Sequence, residues 1–481
     1  MPSWIRAQPR LCPRNRFCSA RLAISILMAW TSVALVRAEP SVPCAIRTTT
    51  QDEPNYFARA GREIRTKHYR VLSDLGGDLT ELYCAHLELM YDEYARRLSG
   101  LAQQAPEVPF VLMFAHERDY LDVLRDRYGI NANGSGGMFF TTPAGSALAF
   151  FTGDHPRMRV FHVMQHEGFH QYANSRFANT LPMWVNEGLA EFFGEAVVIG
   201  DRVIVGQSSS APVEAVRRAI EQGSTIGFKR MLGMSSDEWS ANVRDGNATI
   251  QYQQAWSMVQ FLGWAENGRY QAGFEQYLRA LHAGTPSEQA FVQAFGADEV
   301  DKFEKAWTTW ALVAQPSALS VAASRITYLA EGMRVLSREG VRSETLDDLL
   351  AQLTERKFTT TVTVHGCTQT MEATPQVITI PKDGLAAAQP VFELMPAPRA
   401  KGSSAQRALD ELHPTPSVIT TRGLEPRELV LKWKRSKSGD DFEYELLSPR
   451  EAPKTPKYKR IPATNPTANP PTPSGNLLDQ P

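Results

Sequence analysis

Apolar residues along this chain repeat with two different periods, and the change from one to the other marks out the elements. His68-Tyr69-Arg70-Val71-Leu72 alternates as a strand does. From Asp78 to Leu98, Leu79, Leu82, Tyr83, Leu87, Met90, Tyr91 and Tyr94 recur at helical spacing, which predicts an amphipathic helix packed on a core. Val108 to Phe114 reads as a short apolar strand and Glu117 to Tyr128 as a second helix closed by Gly129. Residues 131–137 form a Gly- and Asn-rich turn before strands at 138–141 and 147–151. Further on, 197–199 and 203–205 flank Gly200-Asp201 as a hairpin, 212–240 is helical and then looped, and 252–262 is a buried helix. Helices continue over 271–313, and 319–357 is helical or connecting. Thr359–Val364 then alternates and is β-branched, with strands expected at 377–380, 391–394, 429–433 and 442–446 and a turn at Ser438-Gly439-Asp440.

These elements predict an α+β chain in parts: a targeting segment over 1–38, a main domain over 39–315, a helical connector over 316–357, a small β-rich module over 358–450, and a disordered tail over 451–481, rich in Pro, Thr and Asn. A hydrophobic content of 43% with 21% charged residues is that of an ordinary globular protein. The formal net charge is −1, and since the first 38 residues hold six arginines and no acid, the remainder carries −7. That remainder has no basic tract, so nucleic acid is not an expected partner. Arg6, Arg10, Arg14, Arg16 and Arg21 precede an apolar run from Leu22 to Val36, and Val36-Arg37-Ala38 offers small residues before a cut that would leave Glu39 first. The expectation is export, to the periplasm or beyond. An uncleaved anchor is the other reading of the segment, and the one that would bring in a membrane. Cys44 and Cys84 could pair in an oxidising compartment, with Cys367 left over, or all three could be incidental.

The candidate chemistry lies between His162 and Glu195. His166-Glu167-Gly168-Phe169-His170 is an H-E-x-x-H. On a helix, residues four apart share a face, so His166 and His170 can hold one metal from one side. Glu167, about 100° round the helix, can serve as general base toward a water there. Sixteen residues after His170 comes Trp184-Val185-Asn186-Glu187-Gly188-Leu189-Ala190-Glu191, with Pro182 placed for the first turn of a new helix. A catalytic zinc has three protein ligands and an open position, which makes Glu187 the third ligand. Glu191, one turn on, is expected to accept a hydrogen bond from a ligand imidazole; an ordinary surface carboxylate or an exchange of roles with Glu187 is the alternative. Gly188 would let the two helices of the motif approach closely. His162 continues the row of His166 and His170, but three ligands on one straight helix, the outer two about 12 Å apart, surround a tetrahedral ion poorly. It is therefore read as a support for the site or as a core residue. His68, His86 and His116 read as structural or surface groups.

HEGFH followed by WVNEGLAEFF resembles the gluzincins, zinc peptidases with an HExxH helix and a glutamate ligand on a following helix, and in particular bacterial zincin-like domain proteins of the peptidase-MA-like group. The resemblance covers about residues 60 to 310, and the spacing of sixteen is shorter than in the large aminopeptidases of that clan. It implies a mixed sheet ahead of the HExxH helix and a helical half after it. It implies an edge strand, in the 138–151 region, that pairs with an extended substrate; a plain hairpin is the other reading. It also implies a tyrosine that hydrogen-bonds the oxyanion, at the place of Tyr252, which could equally be a core or cap residue.

The expectation is one Zn2+ per chain on His166, His170 and Glu187, peptide or protein as substrate, and hydrolysis with Glu167 as base. The competing expectations are an inactive zincin-fold envelope protein that binds or scaffolds, and a zinc hydrolase of a non-peptide amide.

Overall fold

The computed structural model describes residues 47–48, 61–99, 101, 108–142, 145–177, 181–296, 299–380, 390–397, 403–425, 427–437 and 439–449. The targeting segment, Cys44 and the tail lie outside them. Strands β1 (Arg47–Thr48), β2 (Arg62–Arg65), β3 (Arg70–Ser73), β4 (Phe110–Phe114), β5 (Gly137–Thr142) and β6 (Gly145–Phe151) form one sheet in the order β1-β2-β3-β4-β6-β5. β3, β4 and β6 run parallel, and β5 closes one edge antiparallel to β6. Helices α1 (Gly77–Arg97) and α2 (Glu117–Tyr128) connect the parallel strands, and α2 ends on Gly129 in a left-handed conformation.

The alternation of the strands sorts side chains to two faces. Val71, Val111, Met113, Leu148 and Phe150 enter the main core with α1, whereas Leu72, Leu112, Phe114, Ala149 and Phe151 pack under Tyr120 and Leu124 of α2. Across the first face lies α3 (Arg157–Arg176), tied to α1 by the Tyr94 hydroxyl, which donates to the Gln165 carbonyl at 2.6 Å. The α3 residues from Met164 to Ala173 are buried without a break. α4 (Met183–Gly194) is buried at every position, as a helix inside a core is. Pro182 sits one residue before the expected first turn, as its N-cap, and its carbonyl accepts from Val185 and Asn186. After the hairpin β7 (Val197–Ile199) and β8 (Arg202–Ile204) come α5 (Ser210–Glu221), α6 (Phe228–Gly233), α7 (Ser236–Asn242), α8 (Ala248–Gly268), α9 (Gln271–His282), α10 (Ser287–Phe295) and α11 (Glu299–Val313). The close approach at Gly188 is between α4 and α8, not α4 and α3: a Cβ there would stand 2.5 Å from the Ala255 carbonyl oxygen.

The remaining residues fold around a second core. α12 (Ala318–Arg338) and α13 (Leu346–Glu355), the expected connector, supply Leu319, Ile326, Leu329, Leu349 and Leu353 to it. β9 (Thr359–Val364) and β10 (Cys367–Glu372) form a hairpin, and β11 (Val391–Met395), β12 (Val418–Arg422), β13 (Val430–Arg435) and β14 (Phe442–Leu447) form a four-stranded sheet, with α14 (Ser404–Leu412) between β11 and β12. Residues 377–380 are not a strand. A 3-10 turn spans Pro375–Val377, because Pro375 fixes the local backbone and withholds a donor, and Thr379 makes an isolated bridge to Val391. Ile199 and Ile204 of the β7–β8 hairpin are buried in this second core, and Arg157, the first residue of α3, pairs with Glu443 and lies 3.9 Å over the Tyr444 ring.

Candidate metal centre

The helical spacing of the H-E-x-x-H does what it predicts: His166 Nε2 and His170 Nε2 lie 3.0 Å apart on one face of α3. α4 crosses that face and brings Glu187 Oε2 to 3.5 Å from His166 Nε2 and 3.3 Å from His170 Nε2. Three ligands about 2.0–2.1 Å from a tetrahedral ion stand about 3.3–3.4 Å from each other, so the three atoms have the spacing of a coordination shell. Glu187 Oε2 is fully buried and has no hydrogen-bond partner, and His166, His170 and Glu187 are each at most 2% exposed. A buried carboxylate oxygen without a donor is costly unless a cation meets it. The donor set of two imidazoles and a carboxylate suits zinc.

The groups behind the ligands fix their orientation. His170 Nδ1 is 3.0 Å from the Asn186 amide, whose Oδ1 is buried without a partner. Turned so that Oδ1 accepts the Nδ1 proton, Asn186 leaves Nε2 of His170 as the free lone pair. His166 Nδ1 is 3.3 Å from Glu191 Oε1, the outer carboxylate expected from the motif. His162 Nε2 stands 3.4 Å from Glu191 Oε2 and its Nδ1 3.8 Å from Glu195 Oε1, so His162 supports the site from behind and does not join His166 and His170. Gly194 makes room for that ring, since a Cβ there would lie 2.8 Å from it.

Charge in this cluster is strongly coupled. Burial disfavours the imidazolium of His166, but Glu187 and Glu191 outweigh it and hold its pKa up, at about 10. Burial pushes the Glu187 carboxyl up, but His170 and His166 bring it down to about 2. Burial likewise opposes ionisation of Glu191, and His365, His162 and His166 hold it well below the usual carboxylate range. Two carboxylates gathered in the interior thus require positive charge beside them, which protons or a divalent cation can supply.

Glu167 reaches the sheet beside these groups. Its Oε2 accepts the backbone N–H of Phe139 at 2.8 Å, so the expected base sits against the edge strand β5. Tyr252, near the start of α8, is buried with its ring centroid 6.4 Å from that of His166 and edge-on to Trp239. His166, His170 and Glu187 thus form one cluster, with Glu191 and His162 behind it, Glu167 against β5 and Tyr252 near the His166 ring.

His365 was not expected. It occupies the two-residue turn between β9 and β10 with Gly366, both with positive φ (41° and 78°), the conformation of the tightest hairpin turns. The turn carries the His365 ring into the centre: stacked on Tyr252 at 4.1 Å, 4.6 Å from the His166 ring, and with Nδ1 against Glu191 Oε1. A lone histidine 195 residues past His170 gives no spacing signal. The available signal was a His-Gly pair between two β-branched runs.

Residues 160–282, from α3 to the end of α9, match a family described as a protein of unknown function (DUF1570). No curated protein matches the chain. The matched span holds His166, Glu167, His170, Glu187, Glu191 and Tyr252, but not His365. What stands is a mixed α+β protein with buried His/Glu clusters able to hold a metal ion. Among the described residues no helix is long and apolar enough to cross a membrane.

Proposed function

We propose that this chain is a zinc-dependent peptidase of the zincin type, exported by way of residues 1–38, in which His166, His170 and Glu187 hold one ion. One observation carries the reading: three buried ligand atoms at mutual distances of 3.0, 3.3 and 3.5 Å, beside a glutamate bonded to an edge strand. Bound there, zinc would lower the pKa of a coordinated water and polarise a carbonyl. Glu167, next to His166 in the chain, takes the proton of the attacking water and passes it to the leaving amine. The edge strand β5 holds an extended substrate by backbone pairing, since its outward N–H and C=O groups alternate along it. Tyr252 acts on the oxyanion from the α8 side. Glu191 and Asn186 keep the two imidazoles in the tautomer that presents Nε2.

The test is elemental analysis of the purified chain after zinc loading, with His170→Ala as control, followed by hydrolysis of unfolded proteins and mixed peptides. Zinc lost in the control, and turnover that falls on the order of 10²–10⁴-fold in Glu167→Gln with its zinc retained, is the expected result. Full turnover by Glu167→Gln would overturn the mechanism. A chain that binds zinc and cleaves no peptide would overturn the substrate class.

A further inference from the structure

We propose a second divalent-metal site behind the first, held by His162, Glu191 and His365. The ligand atoms of these three residues and of His166 all lie within 4.8 Å of one another. His162 Nε2, Glu191 Oε1 and His365 Nδ1 are each buried without an aligned hydrogen bond, and His365 Nδ1 lies directly against Glu191 Oε1. Burial without an aligned hydrogen bond is also the condition of Glu187 Oε2 in the first centre. A carboxylate acting as a plain hydrogen-bond hub would have its donors aligned on it. Here His162 Nε2 stands 3.4 Å from Glu191 Oε2 without that alignment, which is the separation of two atoms around a shared ion. His166 faces the second site through Nδ1 and keeps its proton there for Glu191, so the ligand set is two imidazoles and one carboxylate. That set suits zinc and the neighbouring borderline ions cobalt and nickel.

The rings are held for this geometry. Gly194 leaves the space that the His162 imidazole fills, and His365 is fixed by its parallel stack on Tyr252 and by the seat of Gly366 against Thr249. The site also borders a cavity whose wall holds none of the first centre's three ligands. The cavity, of about 1230 Å³, lies between the two halves of the protein, and His162, Glu191 and Glu195 are in its wall, with Cys367 and Val364 flanking the His365 turn. An ion can therefore reach this site from the side of His166 opposite to Nε2. The second ion would fasten the β9–β10 turn to α3 and α4, and the proposal does not depend on what the first centre hydrolyses.

Zinc and, separately, cobalt content of the purified full chain is measured after loading and gel filtration, with circular dichroism to report the fold of each variant. The expected result is two ions per chain, one in His365→Ala, one in His162→Gln, and one in His170→Ala. In the cobalt-loaded chain, the visible absorption that survives in His170→Ala is that of the second site, and it disappears in the His170→Ala, His365→Ala double variant. One ion that is lost in His170→Ala and kept in both His365→Ala and His162→Gln overturns the second site and leaves the first intact. Two ions retained in both of those variants also overturn it. One ion kept in His170→Ala and lost in His365→Ala would support the second site and overturn the first. If His365→Ala fails to fold, His162→Gln and the count on the parent chain decide.

Discussion

His365 lies flat on Tyr252, with ring centroids 4.1 Å apart and planes 6° apart. The tyrosine opens α8 in the main core, and the histidine tops a hairpin of the second. The stack therefore joins a residue expected from the sequence to one that was not. It also separates two roles of Tyr252, its hydroxyl and its ring face.

Tyr252→Phe keeps the ring and removes the hydroxyl. If the hydroxyl serves the oxyanion, kcat falls on the order of 10²-fold or more with zinc content and melting temperature unchanged. Tyr252→Ala removes the stack too and lowers the melting temperature as well. Steady-state kinetics beside calorimetry checks both, and an unchanged kcat in Tyr252→Phe would assign the residue to packing.

Zinc binding should release protons. In the metal-free protein His166 holds its proton up to about pH 10, and a ligand imidazole must be neutral. The metal-free fold therefore gains stability from this group below the unfolded value near 6.5 and loses it as pH rises through about 10. At pH 8 titration calorimetry in buffers of different ionisation enthalpy should give about one proton released per zinc, and the affinity should rise with pH. A slope of zero would contradict the charge assignment.

Gly188→Ala should loosen α4 from α8. Its Cβ would meet the Ala255 carbonyl oxygen at 2.5 Å, and backbone cannot step aside as a side chain can. The overlap costs about 1–3 kcal/mol and moves Glu187, the next residue, away from the imidazoles. Thermal unfolding should show the loss, and competition with a chelator should show weaker zinc binding; unchanged values for both would refute the packing argument.

His86 should set an acid limit. It is fully buried in a parallel stack on Phe161 at 4.0 Å, and burial depresses its pKa from 6.5 to about 3. The unfolded chain binds this proton and the folded one does not, so stability falls as pH drops from 6.5 toward 3, by about 1.4 kcal/mol per unit from this group. His86→Phe should flatten that part of a denaturation-midpoint profile against pH.

Much of the centre was legible because helical geometry converts short spacings into positions. His166 and His170, or Glu187 and Glu191, need only a turn of helix to share a face, and both helices are present. Strands β3 to β6 of the first sheet were legible because their alternation or apolar runs survive burial on one or two faces, whereas β1 and the charge-rich β2 were not. What failed depended on distant packing. Residues 377–380 have strand-like composition, but Pro375 and the turn it starts decide their backbone. β10 and β12 were missed because Thr- and Gln-rich strands with exposed positions carry little apolar signal. Gly188 was assigned to the wrong neighbour because the sequence shows that a close approach occurs, not which helix makes it. His365 was missed because it reaches the centre through the fold of a different core.

Arg157 connects the two halves at the root of the HExxH helix: it begins α3, pairs with Glu443 and lies under Tyr444 in the far sheet. The β7–β8 hairpin, with Ile199 and Ile204 buried in the second core, likewise packs on α12 and β14. A fragment ending near residue 315 would therefore strand a buried guanidinium and uncover an apolar hairpin, and it should aggregate when expressed by itself. The boundary that the sequence draws after the helical half is not a place where the protein can be divided.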